Sequence, residues 1–155
     1  MSKYFSKVVW AKIKIYVNYI IMSQYIFNKE LWTIGEKIEN DTLPLLNKYF
    51  NCDFKRNEND IFDILDFKDD NNKIIVEVKG RRNTSTKYKD TLITASKVNE
   101  GLKKIDEGYK VYFVFAFTDK VMEVELLDQD FKCKITGTNS ILHYLIPVED
   151  LTDMA

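Results

Sequence analysis

The spacing of apolar and polar positions predicts where the chain is helical. Apolar side chains recur at near-helical intervals over residues 30–50, and Pro44 is expected to kink this helix or divide it in two. A second apolar stripe runs over residues 90–107 and ends at Gly108, a typical C-terminal glycine. Residues 139–145 are predicted to form a short helix before Pro147.

Other segments are predicted to be extended, because their apolar residues alternate with polar ones or run continuously. The segments IFDILDF (61–67) and KIIVEVK (73–79) flank the polar residues 69–72, which predicts a β-hairpin. The segment KVYFVFAF (110–117) is nearly all apolar, as expected of a central strand covered on both faces. The remaining predicted strands are residues 52–56 and residues 121–127.

The order of these elements predicts the fold class. Helix, three strands, helix and two further strands follow one another in a single domain over residues 29–155. The hairpin must be antiparallel, whereas a helical crossover to residues 110–117 is typical of a parallel pair. The expected fold is therefore α/β, with a mixed central sheet flanked by helices.

Residues 1–28 are interpreted as an N-terminal extension to this domain. Residues 12–19 alternate only partly, so they form either an extra strand or part of a helix. Lys12 and Lys14 interrupt the apolar run, which argues against a membrane span of about 20 residues and against a secretory signal. A cytoplasmic location with no membrane partner is expected.

The composition limits the kinds of metal site and catalytic site that the chain can contain. The chain is 45% hydrophobic and 30% charged, as in a soluble globular protein. Cys52 and Cys133 fit neither a zinc spacing nor a disulfide framework, so both are expected to be reduced thiols. His143 is the one histidine of the sequence, which excludes metal motifs built on two histidines and argues against Ser-His-Asp catalysis.

Charge is balanced overall but unevenly distributed. The net charge of −1 argues against a protein that coats DNA non-specifically. Residues 79–89 nevertheless contain five cations and no acid, a pattern that suits a phosphate backbone. Arg81, Arg82 and Lys87 are the predicted nucleic-acid contacts in this segment.

The candidate chemistry lies on the two arms of the hairpin. Side chains alternate along a strand, so Glu77 and Lys79 share one face. If Phe67 pairs with Lys73, Asp63 falls opposite Glu77, with Cβ atoms about 4.5–5.5 Å apart. A register slip of one residue would send Asp63 to the other face.

Two other acids are alternatives to Asp63. Asp66 lies on the opposite face in the predicted register, and Asp60 lies at or before the start of the strand.

The carboxylates of Asp63 and Glu77, at the expected separation, would repel each other unless a cation lay between them. Mg²⁺, with Mn²⁺ as a substitute, is commonly held by one or two carboxylates together with substrate phosphate. Lys79 is then placed to orient a water molecule and to offset phosphate charge.

Asp63, a gap of thirteen residues and then Glu77-Val78-Lys79 together resemble the PD-(D/E)XK nuclease superfamily. The resemblance implies the restriction-endonuclease-like fold, whose αβββαβ core would cover residues 30–118, with one extra strand. It assigns the metal to Asp63, Glu77 and the Val78 carbonyl, and it assigns catalysis to Lys79. The name-giving proline is absent, because Phe62 precedes the aspartate.

Superfamily members often add an acid on the first helix, four residues after a glycine. Glu39 occupies that place after Gly35 and is assigned to the active site, with Glu36 as the alternative. A polar or basic residue of the second helix often completes the site, and Lys97 is the best match; the helix face at Lys97 is also expected to contact the phosphate backbone of nucleic acid.

The resemblance implies a Mg²⁺-dependent nuclease that hydrolyses phosphodiester bonds, with DNA as the favoured substrate and endonuclease action as the expected mode. A nuclease-like module that binds nucleic acid or assembles with partners, without hydrolysis, is the main alternative. An unrelated α/β interaction protein is the third hypothesis. The sequence leaves open DNA or RNA, ends or internal sites, and a monomer or a homodimer.

Overall fold

The computed structural model describes residues 29–57, 65–127, 132–136 and 141–155. The predictions made for residues 1–28, and for Asp60 and Asp63, therefore lie outside the described residues. From Gly35 onward the chain belongs to one compact unit, Gly35–Ala155. No helix in the described ranges is both long and apolar enough to cross a membrane.

The described residues contain two α-helices, one short 3-10 helix and strands that form two sheets. The helices are α1 (Lys29–Phe50) and α2 (Ala95–Asp106), and the 3-10 turn is Val148–Asp150. The strands are β1 (Lys55–Arg56), β2 (Phe67–Asp69), β3 (Ile74–Gly80), β4 (Asp90–Thr94), β5 (Lys110–Ala116), β6 (Val121–Glu125), β7 (Lys132–Thr136), β8 (Ile141–Pro147) and β9 (Thr152–Asp153).

The central sheet has the order β1-β2-β3-β5-β6-β9. Strands β3 and β5 are parallel, with Glu77 opposite Phe113, and the other neighbouring pairs are antiparallel. The chain passes from β3 to β5 through β4 and α2, which supplies the helical crossover that a parallel pair requires. The predicted α/β class with a mixed central sheet is confirmed.

Both faces of the central sheet are covered, because β3 and β5 place buried side chains on each side. Leu46 of α1 packs in a cluster with Val76, Val78 and Val114. On the other side Val98 of α2 packs in a cluster that is built on the sheet residues Ile75, Val111, Phe113 and Phe115. The continuous apolar run that predicted a central strand at 110–117 is explained by this two-sided burial.

A smaller sheet, with order β4-β8-β7, corrects two helix predictions. Residues Asp90–Thr94 form a strand, and the second helix begins only at Ala95. Residues 139–145 were predicted to be helical, whereas β8 extends from Ile141 to Pro147 and pairs with both β4 and β7. Thr91 and Ile93 are buried on one face of β4, an alternation of period two that the neighbouring helical stripe obscured.

The first helix and the hairpin also differ from expectation. Pro44 lies inside α1 and does not divide it. In the hairpin Phe67 pairs with Val76, not with Lys73, so the predicted register is wrong by three residues. The reason lies in the turn, where buried Asp69 remains in β2 and accepts hydrogen bonds from the backbone N–H of Asp53 at 2.9 Å and of Asn72 at 3.0 Å.

Candidate active site

The observed register brings Asp66 to Glu77. Extending the pairing of Phe67 with Val76 by one residue puts Asp66 opposite Glu77. Asp66 Oδ2 also accepts a hydrogen bond from the Val78 N–H at 2.8 Å, which ties the carboxylate to β3. The register argument that favoured Asp63 over Asp66 therefore does not hold, and Asp63 itself lies outside the described residues.

Glu77 is a buried carboxylate with a cationic partner. Only 3% of the residue is exposed, and Lys97 Nζ lies 2.9 Å from Oε1 and 3.1 Å from Oε2. Burial raises the pKa of Glu77 well above its ordinary value, and the charge of Asp66 raises it further, whereas Lys97 lowers it. Glu77 of β3 thus interacts with Asp66, which directly precedes β2, and with Lys97 of α2.

Glu39 of α1 joins the same electrostatic cluster. Its Oε2 accepts a hydrogen bond from Arg56 Nη1 at 2.7 Å. Burial is the main cause that raises the pKa of Glu39, the charge of Asp66 adds to it, and Arg56 and Lys97 oppose the rise. Glu39 and Lys97, both predicted from the sequence to complete the site, are therefore brought together with Asp66 and Glu77.

Sequence reasoning missed Arg56. This residue ends β1, its guanidinium lies 5.0 Å from the centroid of the Phe67 ring, and it holds Glu39 in place. The charge was visible in the sequence. Its position depends on β1 pairing with β2, a short edge contact that the local sequence pattern does not specify.

Lys79 lies two residues beyond Glu77 on β3 and is exposed to solvent. Residues that alternate along a strand share a face, so Lys79 extends the row of charges that begins at buried Glu77. Val78 lies between them and is buried, with its N–H bonded to Asp66. The motif therefore runs from the protein interior to the surface over three residues.

The cations of residues 81–89, which follow β3, differ in how much of each side chain the fold covers. Arg81 donates from Nε to Thr91 Oγ1 at 2.9 Å and from Nη2 to the Leu92 carbonyl, and burial lowers its pKa to about 10. Its guanidinium also lies over the Phe115 ring. Arg82 and Lys87, by contrast, are exposed. Of the four predicted phosphate contacts, Arg81 and Lys97 are thus engaged within the fold itself.

The carboxylates of Asp66 and Glu77 are oxygen ligands of the kind that Mg²⁺ prefers. Within the described ranges no group of three His, Cys, Asp or Glu side chains is arranged to hold a metal ion. Asp66 and Glu77 nevertheless provide two adjacent carboxylates, and Mg²⁺ is commonly bound by one or two carboxylates, with waters and substrate phosphate as the other ligands. These residues therefore fit a Mg²⁺ site that leaves positions for a substrate.

A comparison with protein families adds an independent finding. The model of the family described as Protein NO VEIN, C-terminal, matches residues 32–127, well over half of the chain. The chain belongs to this family. The matched region of this NO VEIN C-terminal domain contains Glu39, Asp66, Glu77, Lys79 and Lys97. No curated protein and no solved structure matches the chain.

Proposed function

We propose that this protein is a Mg²⁺-dependent nuclease of the PD-(D/E)XK type that hydrolyses phosphodiester bonds, with DNA as its substrate. The observation that carries the proposal is the position of Asp66 beside buried Glu77 on antiparallel strands, with Lys79 two residues further on. The motif then reads Asp66, a gap of ten residues, and Glu77-Val78-Lys79. Leu65 precedes the aspartate where the superfamily often has proline.

Each residue of the cluster has a role in this proposal. Asp66 and Glu77, with the Val78 carbonyl, hold Mg²⁺, which supplies Lewis-acid polarisation of the phosphate and lowers the pKa of bound water. Lys79, exposed at the end of the row, orients the attacking water and offsets phosphate charge. Lys97 neutralises Glu77, and Arg56 positions Glu39. Arg82 and Lys87 contact the backbone of the nucleic acid.

The raised pKa of Glu77 supports a cation at this site. A carboxylate that is buried and faces a second carboxylate binds protons tightly, because its charged form lacks sufficient compensation. A divalent cation supplies that compensation, and it also supplies positive charge at the position that a phosphate would occupy. Proton binding and cation binding are therefore expected to compete at Glu77.

The test is cleavage of single-stranded, duplex and branched DNA and of RNA, in Mg²⁺, in Mn²⁺ and in EDTA. The wild-type protein should cut DNA only with metal. Asp66→Asn should lose activity, and Lys79→Ala should lower the rate by about 10²–10⁴-fold, the usual contribution of a positioned acid or base. Asp63→Asn is the matched control and should cut normally.

The experiment tests the assignment of Asp66 to the metal site and the nuclease activity separately. Activity lost in Asp63→Asn but retained in Asp66→Asn would return the metal site to Asp63 and reject the assignment to Asp66. Cleavage of no substrate under any metal condition would reject the nuclease.

A binding module without hydrolysis is the second candidate, and the ion pair of Glu77 with Lys97 favours it. A lysine 2.9 Å from a buried carboxylate already compensates part of its charge, as a site that functions without metal would require. Such a module would bind nucleic acid with the same affinity in Mg²⁺ and in EDTA. Metal-dependent turnover would exclude it.

A further inference from the structure

Asn57 extends the row of site residues to a third strand. It follows β1 directly, and its N–H donates to the Asp66 carbonyl at 2.9 Å. Because Arg56 pairs with Phe67, continuing the register puts Asn57 beside Asp66 just as Asp66 lies beside Glu77. Asn57, which follows β1, Asp66, which precedes β2, and Glu77 of β3 are therefore neighbours in one row that continues the register of the sheet.

The side-chain amide of Asn57 is buried without a hydrogen-bond partner. In the described part of the chain, Asn57 Oδ1 and Nδ2 are the buried side-chain polar atoms for which no partner is found. Buried polar atoms in native proteins are almost always satisfied, and an exception points to a bound water, ion or ligand. Asn47 shows the ordinary case, because its Oδ1 accepts the Phe54 N–H at 2.8 Å.

The electrostatics of the cluster explain why an amide is suitable here. Asp66 already lies beside the buried carboxylate of Glu77, and it acts on the carboxylate of Glu39 as well. A further carboxylate at position 57 would add repulsion, whereas an amide oxygen adds a hard oxygen ligand without charge. Amide oxygens are regular ligands of divalent cations that prefer oxygen.

We propose that Asn57 is a ligand of the divalent cation site, with Oδ1 as the third oxygen donor beside the carboxylates of Asp66 and Glu77. Nδ2 then donates to a cation-bound water or to a phosphate oxygen of the substrate. The proposal rests on the cation site of the proposed function and adds a residue from outside the Asp, Glu and Lys motif.

The test measures two properties of the full chain: Mn²⁺ binding by calorimetry and thermal unfolding in EDTA. Asn57→Leu removes the unsatisfied polar atoms at similar volume, so the metal-free protein should unfold at a higher temperature than wild type. The same change should weaken Mn²⁺ binding by about 10-fold or more. Asn57→Asp should retain Mn²⁺ binding but unfold at a lower temperature in EDTA, because it adds a carboxylate beside Asp66.

Asn47→Leu is the matched control, since it removes an amide that has a partner. It should lower the unfolding temperature and leave Mn²⁺ binding unchanged. The proposal is overturned if Asn57→Leu behaves like this control, or if wild type does not bind Mn²⁺. Mn²⁺ binding that depends on Asn57, in a protein that cuts no nucleic acid, would instead retain the ligand and reject the nuclease.

Discussion

Two buried glutamates on strands of the central sheet show how the neighbours of a residue decide its chemistry. Glu77 is paired with Lys97 and faces Asp66, so it belongs to a cluster of opposite charges. Glu123 of β6 is 8% exposed and accepts a hydrogen bond from Tyr49 Oη at 3.1 Å. Burial raises the pKa of Glu123, the Tyr49 hydrogen bond lowers it, and the charge of Glu125 raises it further.

We expect Glu123 to contribute to the pH dependence of stability. Its folded-state pKa lies above the ordinary value of 4.5, so its contribution to stability is present below pH 4.5 and is lost as the pH rises through the folded-state pKa. Glu123→Gln keeps an acceptor for Tyr49 and removes the titration. Urea unfolding at pH 4.5 and at pH 8 should therefore show a smaller loss of stability in this variant.

Glu149→Gln is the control for this measurement, because Glu149 is exposed. It should leave the pH dependence as it is in wild type. An unchanged loss of stability between pH 4.5 and pH 8 in Glu123→Gln would contradict the expectation.

At the scale of elements, α2 ends just before Gly108, the glycine at which the sequence predicted that the helix would stop. Gly108 has φ +95° and its N–H donates to the Ile105 carbonyl at 2.9 Å, while the Tyr109 N–H donates to the Lys104 carbonyl at 3.0 Å. These two bonds are a Schellman motif, which requires the left-handed conformation that glycine adopts without steric cost. The glycine therefore directs the chain from α2 into β5.

The same substitution should have opposite effects at two glycines. Gly108→Ala places a Cβ in a left-handed conformation and should destabilise the protein by about 1–2 kcal/mol. Gly35→Ala lies inside α1, where a Cβ would meet no atom within 4 Å. It should stabilise the protein by about 0.5–1 kcal/mol. Urea denaturation of both variants measures the difference, and equal signs would contradict this account.

At the scale of the whole molecule, the exposed cations are unevenly distributed along the chain. The net charge is −1, yet the exposed cations Arg82, Lys87 and Lys89 follow the strand that carries Glu77 and Lys79. The segment is anchored at Ser85, whose N–H and Oγ both donate to the Asp119 carboxylate at 2.7 Å. Under the proposed function, this anchoring would hold the exposed cations in place for the phosphate backbone.

Nucleic-acid affinity should accordingly depend on salt through these residues. Arg82→Ala and Lys87→Ala should each weaken binding of a DNA oligonucleotide and reduce the slope of log K against log [salt] by about 1. Lys48→Ala, an exposed cation at the end of α1, is the control and should leave the slope unchanged. Fluorescence anisotropy over a salt series measures the slopes, and the expectation fails if all three variants share the wild-type slope.

Much of the candidate site could be predicted from the sequence, because local pattern determines which residues of one element share a face. The alternation of β3 put Glu77 and Lys79 together, and helical spacing put Glu39 on α1 and Lys97 on α2. The partner of Glu77 could not be predicted, because it depends on the register between two strands. A shift of three residues from the predicted register, set by the buried Asp69 carboxylate in the turn, puts Asp66 opposite Glu77.

Periodicity and residue type were enough to predict the α/β class, the central strand at 110–117, and Glu77 and Lys79 of the motif. The pairing of β4 with β8, the half-buried position of Arg81 and the place of Asn57 beside Asp66 emerged only from the folded structure. The two groups of features differ in how far apart in the sequence the interacting residues lie. Periodicity reports burial along one element, whereas pairing, register and buried hydrogen bonds depend on residues distant in sequence.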